Sequence, residues 1–333
     1  MDRLRSRPLR RRCAWIVAAA VGAGGCSRGV GTTHAPLVYA TDEDGDSVVA
    51  VDPSHAAIVA RIPVGKRPRG MRLSPDGARL YATSTEGIAV IDVASRAVVA
   101  KLPAGPSPDG LDTSPDGRTL FVSDEGASRV LALDLPSGKA RAAAAVASPG
   151  GVAAGPGGRV VFATSERDSD VAVLDAATLV ITGRVPTGPH PRAVVFSRDG
   201  RTAFVADEAG ARVTVIDAVG LTSLGDIPLH EDSPMPSGPR PSGLALSPDG
   251  AVLYVACGRG ASVAVVDVAT RAQVRSIDGA GDRPSGVATS RDGAFVYTAN
   301  GTSHDVSVIN VATGNVDRRA AIGGLPWDVV SAP

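Results

Sequence analysis

Ser247-Pro248-Asp249-Gly250, then Leu253-Tyr254-Val255-Ala256-Cys257, then Val263-Ala264-Val265-Val266-Asp267 is the stretch that decides the fold. In the turn, Pro presets φ, Asp bonds its own backbone and Gly accepts a positive φ. The two runs that follow are short and rich in β-branched residues. The Gly-containing loop 258–262 joins them, so they read as an antiparallel hairpin.

The unit recurs along the chain. Ser-Pro-Asp-Gly stands at Ser74 to Gly77 and Ser114 to Gly117, with variants ending at Gly158, Gly200 and Gly293. The final Gly residues are 40, 41, 42, 50 and 43 positions apart. A period near 42 is that of one four-stranded propeller blade. The hairpin pattern occurs seven times, starting at Leu37, Leu80, Leu120, Val161, Ala203, Leu253 and Val296. A third run then leads into a G-x-x-P element, as at Gly65 to Pro68, Gly188 to Pro191 and Gly281 to Pro284. The C-terminal Pro326-Trp327-Asp328-Val329-Val330-Ser331 aligns with Pro68-Arg69-Gly70-Met71-Arg72-Leu73 and stops where another turn would begin. The last strand is therefore expected to complete the first hairpin and close a ring of seven blades, leaving no free edge.

Composition agrees. The 333 residues hold 39 Gly and 25 Pro, and only three Lys and six Glu stand among the charged side chains. Few good helix formers and many turn formers point to an all-β chain. Lys plus Arg equals Asp plus Glu at 34 each, which excludes a broadly basic nucleic-acid-binding face. Three Cys exclude a disulfide-built scaffold.

The N-terminus reads as an export signal. Arg3, Arg5, Arg7, Arg10, Arg11 and Arg12 precede an apolar run from Ala14 to Ala23, too short to span a bilayer. Residues 1–25 are the expected signal peptide, 26–35 a flexible tether and 36–333 the propeller. Removing 1–25 leaves 28 basic and 33 acidic residues, a formal net of −5. The stretch Ala23-Gly24-Gly25-Cys26 resembles a bacterial lipobox, in which the peptide is cut before a Cys that is then lipid-modified. That resemblance implies a lipid anchor at Cys26 and a periplasmic or cell-surface location.

The repeats also resemble the YVTN-type β-propeller family of exported bacterial and surface-layer proteins. The signature stands here as Tyr39-Ala40-Thr41-Asp42, Phe121-Val122-Ser123-Asp124 and Tyr297-Thr298-Ala299-Asn300. The family is functionally mixed, so the resemblance implies the fold and no activity. W-D pairs at blade period, as in WD40 repeats, are absent.

Aligning residues around the blade prolines gathers a candidate site on the face that carries the hairpin loops, here called the top face. Arg67, His190, Arg240 and Arg283 precede a blade Pro; Arg69, Arg192 and Trp327 follow one. Arg binds carboxylate or phosphate bidentately and Trp offers a flat face, so a small anionic ligand or a protein partner is expected at this axial mouth. The competing reading is mutual neutralisation by Asp42, Glu43, Asp124, Glu125, Asp207 and Glu208 in the adjacent loops. Arg72–Asp112 and Arg69–Asp109 are expected to pair. Gly70, Gly110, Gly151, Ala193, Gly243 and Gly286 would let strands crowd the axis, and Asp328, in the same column, would project into the channel. The Pro-rich insertion from His230 to Gly238 would overhang the top face.

Asp42 to Asp46 lacks the Gly and Glu that a calcium loop needs, and Ser303-His304-Asp305 cannot form a triad as sequence neighbours. The reading is a non-enzymatic binding module held at the membrane only by its lipid, with any cofactor unidentified. Its rivals are a lactonase- or lyase-like enzyme with an axial site, and a partner of haem d1 or another redox cofactor; the haem d1 propellers have eight blades. Cys26→Ser is expected to release the protein from the membrane fraction, as read by immunoblot of separated fractions.

Overall fold

The computed structural model describes residues 36–135, 137–230 and 238–332. The signal segment, the tether with Cys26 and the insertion at 231–237 lie outside the described residues. The rest is built from seven four-stranded antiparallel sheets. Blade 1 combines Pro326–Ser331 with Val38–Asp42, Ser47–Asp52 and Ala57–Pro63. Blades 2 to 7 follow in chain order, with innermost strands Met71–Leu73, Pro108–Thr113, Pro149–Ala154, Pro191–Phe196, Pro241–Leu246 and Pro284–Thr289. The ring closes as expected: Val38 pairs Ser331, Tyr39 pairs Val330 and Ala40 pairs Val329.

The core lies between blades, where facing sheets bury each other. Seven of the nine Phe and Tyr occupy one column on the second strands: Tyr39, Tyr81, Phe121, Phe162, Phe204, Tyr254 and Tyr297. One aromatic per blade, surrounded by Val, Ala and Leu, gives each junction the same wedge. The Ser-Pro-Asp-Gly turns join first to second strands at the opposite, bottom face. In each, the Ser hydroxyl bonds the Asp carboxylate, as from Ser247 to Asp249 at 2.5 Å, and the final Gly has positive φ.

Near the axis the junctions share a hydroxyl latch. The Thr83 hydroxyl accepts the Gly70 N–H (2.9 Å) of its own blade and reaches the Asp109 carbonyl of the next (3.3 Å). Ser123 joins the Gly110 N–H to the Gly150 carbonyl, and Thr164 joins the Gly151 N–H to the Arg192 carbonyl. Thr41 joins the Asp328 N–H to the Arg69 carbonyl. Blades 6 and 7 carry Ala256 and Ala299 at this position, and Ser242 and Ser285 supply the hydroxyls, to the Ser285 and Trp327 carbonyls. The junction from blade 5 to blade 6 has Ala206 in the hydroxyl column and Ala193 where most blades have Gly.

Glycine is required beside these latches because inner strands approach closely. A Cβ on Gly110 would sit 2.6 Å from the Gly150 carbonyl oxygen and 3.2 Å from the Gly151 Cα, both backbone atoms. Gly110→Ala is therefore expected to destabilise the ring by about 1–3 kcal/mol through overpacking, read as a lower midpoint in urea unfolding.

Candidate ligand-binding mouth on the top face

Six of the seven innermost strands start at a blade proline, and that of blade 2 starts at Met71, three residues after Pro68; the residue before the proline often takes a left-handed turn. Arg67, Ser148, His190 and Arg283 have φ of 52°, 45°, 60° and 57°. The latches then fix the backbone just after the proline: the Arg69, Arg192 and Trp327 carbonyls each accept a hydroxyl. The side chains of these three residues converge. Trp327 has the Arg69 guanidinium 4.7 Å from its ring centroid, Arg283 at 5.6 Å and Arg192 at 5.9 Å. Arg283 and Arg192 line a hollow of about 870 Å³ with Trp327, Arg69, Arg240 and Arg259.

Most of the mouth guanidiniums have carboxylate partners. Arg67 contacts Glu43 at 2.7 Å, and Arg69 reaches Glu43 at 3.5 Å and Asp109 at 4.0 Å. Arg192 bonds Glu166 and lies 3.8 Å from Glu208, which also holds Arg240 at 3.0 Å. His190 stands between Glu166 (3.3 Å) and Glu208 (3.2 Å). Burial works against the Arg192 charge, but Asp109, Glu166 and Glu208 outweigh it and hold its pKa above the ordinary value.

The neutralising acids differ from those expected. Glu43 and Glu208 serve, but Asp42, Asp124 and Asp207 turn inward. Asp42 accepts the Gly45 and Leu325 N–H groups, Asp124 pairs Arg129, and Asp207 accepts the Thr214 hydroxyl. Glu166 is the acid that sequence reading missed; its signal was its place beside Ser165, equivalent to Glu208 beside Asp207. Glu125 lines the hollow with no ion pair among the described residues. Arg259 was also missed, because it sits in a hairpin loop rather than beside a proline.

Deeper in, an axial cavity of about 220 Å³ is lined by the Gly column, Asp328 and Arg72. Arg72 bonds Asp112 at 2.7 Å, as expected. Asp328 reaches the channel but folds back on backbone, accepting Met71 N–H of blade 2 and its own Val329 N–H, both at 2.8 Å. Asp112 does the same between Thr113 and Ala154 of blade 4. Each carboxylate thus clamps two neighbouring inner strands. Burial pushes the Asp328 carboxyl up to about 6, opposed by those N–H groups and Arg72. Among the described residues, no group of three or more His, Cys, Asp or Glu is placed to hold a metal ion.

Fold and site together define a seven-bladed β-propeller with an arginine-framed mouth. A family model described as "Lactonase, 7-bladed beta-propeller" matches residues 175–321. No curated protein matches the chain. Among solved structures, Kuenenia stuttgartiensis hydrazine synthase aligns at TM-score 0.73 and 22% identity, over 83% of this chain and 92% of that one. A functionally unknown protein from Desulfotomaculum acetoxidans DSM 771 aligns at TM-score 0.78 and 16% identity, over 89% and 98%. At such identities the likeness is one of fold.

Asp207, fully buried beside the mouth, gives a pH test. Burial pushes its carboxyl up to about 6, against the pull of Thr214, the Gly188 N–H and Arg212. A carboxyl raised from an unfolded value of 3.8 stabilises the fold fully below that value and loses the contribution as pH rises through 6. Relative to Asp207→Asn, the wild type should gain of the order of 2–3 kcal/mol between pH 7 and pH 4, measured by urea unfolding at both.

Proposed function

We propose that the protein is an exported, lipid-anchored propeller of the YVTN type that binds a small anionic ligand through its top face, with no chemistry of its own. The observation that carries this reading is Trp327 framed by the guanidiniums of Arg69, Arg192 and Arg283 at the edge of an open hollow. Glu43 holds Arg69 and Glu166 holds Arg192 in fixed positions, so little of their side-chain freedom remains to be lost when an anion binds. Export and the anchor rest on the basic and apolar N-terminal pattern and on Cys26.

The partial lactonase match favours a second reading, a lactone-hydrolysing enzyme. There, His190 between Glu166 and Glu208 is the group placed to carry a proton.

The two readings separate in one set of measurements on the mature chain from Cys26, where Trp327 is the single indole. Small carboxylates and phosphates are expected to change Trp327 fluorescence and raise the melting temperature. Arg192→Ala should weaken both effects about tenfold or more. Absence of any anion effect overturns the binding reading. Turnover of five- or six-membered lactones, lost in His190→Gln, establishes the enzyme in its place.

A further inference from the structure

Of the seven junctions, four carry a Glu at one hairpin-loop position, Glu43, Glu125, Glu166 and Glu208, and three of these pair with a cation of the next blade; Thr85, Gly258 and Gly301 hold the position in the other three. In six blades the second residue of the hairpin loop donates its N–H to the carbonyl of the residue before the blade's own proline; in blade 2, Thr85 donates to Lys66 instead. Glu43 does so to Leu325, Glu166 to Ser148, Glu208 to His190, Gly258 to Arg240 and Gly301 to Arg283. The backbone positions are therefore equivalent. From this position the Glu side chains reach the pre-proline residue of the next blade: Glu43 meets Arg67, Glu166 meets His190 and Glu208 meets Arg240. At the next step around the ring the acid is replaced by Gly258, while the cation, Arg283, remains.

Nothing about the backbone demands glycine there. Neither Gly258 nor Gly301 has a positive φ. A Cβ on Gly258 would have only ordinary contacts, the nearest at 3.5 Å from the Pro284 carbonyl and 4.0 Å from Arg283 Cγ. A Cβ on Gly301 would lie 3.4 Å from Leu325 Cδ1 and 3.7 Å from Arg283 Cδ. The missing side chains thus leave room on both flanks of Arg283, whose guanidinium meets Trp327 and forms no ion pair among the described residues. Arg259, next to Gly258, adds a second cation without an ion pair on the same hollow. Asp282 lines that hollow too and pairs with neither.

Resting on the anion-binding reading of this mouth, we propose that the ligand is a small carboxylate seated at the junction of blades 6 and 7. Its carboxylate takes the place of the absent Glu side chain at Gly258 and is held by Arg283 and Arg259. Its body lies in the hollow against Trp327. The ligand thereby supplies at this junction the ion pair that the chain builds for itself at Glu43, Glu166 and Glu208. Affinity falls with added salt, because the hollow is open to solvent.

The test is calorimetric titration of the full chain with sodium benzoate, benzamide and inorganic phosphate. Benzoate should bind and benzamide should not. Arg283→Ala should weaken benzoate about tenfold or more. Gly258→Glu restores the missing carboxylate and should abolish benzoate binding while raising the melting temperature; if that variant does not fold, Arg283→Ala carries the test. Benzoate binding that survives both substitutions but is lost in Arg192→Ala and Arg240→Ala overturns this seat and leaves the anion-binding mouth standing. Phosphate binding in preference to benzoate overturns the carboxylate assignment. No binding of either anion overturns both readings.

Discussion

The structure depends on how closely neighbouring inner strands approach at the axis. Seven sheets can be arranged radially only if their first strands nearly touch, and a side chain at the contact would force them apart. The chain answers with Gly70, Gly110, Gly151, Gly243 and Gly286, and with a hydroxyl that joins one blade's N–H to the next blade's carbonyl. A hydroxyl suits this place because it donates and accepts at once, so two edge-strand groups that would otherwise be buried unpaired are satisfied by one atom. At the junctions of blades 1 and 2 and of blades 3 and 4, Asp328 and Asp112 add a second bridge, each carboxylate accepting two N–H groups.

The site inherits its precision from this constraint. Three of the latched carbonyls belong to Arg69, Arg192 and Trp327, so atoms that hold the ring together also place side chains of the mouth. The charges are then arranged by repetition. A Glu from one hairpin loop reaches the cation of the following blade, and variation among loops decides which cations are neutralised internally. Blades 6 and 7 carry Gly258 and Gly301 at that loop position, where four other blades carry Glu.

Much of this was legible in the sequence because the repeat is strict. The period, the turn glycines, the closing strand and the small-residue column all follow from aligning the blades, and the Arg72–Asp112 pair follows from register. The charge pattern was harder. Asp42, Asp124 and Asp207 end their strands and turn to donors within their own blades, whereas Glu43 and Glu208, one residue further into the loop, reach the next blade. Glu166 and Arg259 were hidden because the prolines, not the loops, set the alignment. What the repeat cannot announce is an omission: Gly258 is one Gly among 39, and it means something only beside the Glu residues that occupy its place elsewhere.

The closing strand has a kinetic consequence. Blades 2 to 7 are assembled from strands adjacent in the chain, whereas the Thr41 latch joins residues 287 positions apart. Contacts of such long range are slow to form, so this junction is expected to close last. Trp327 arrives on that same strand. A mouth whose central ring is delivered by the final step cannot hold a ligand while the chain is incomplete, so occupancy of the mouth reports that folding has finished.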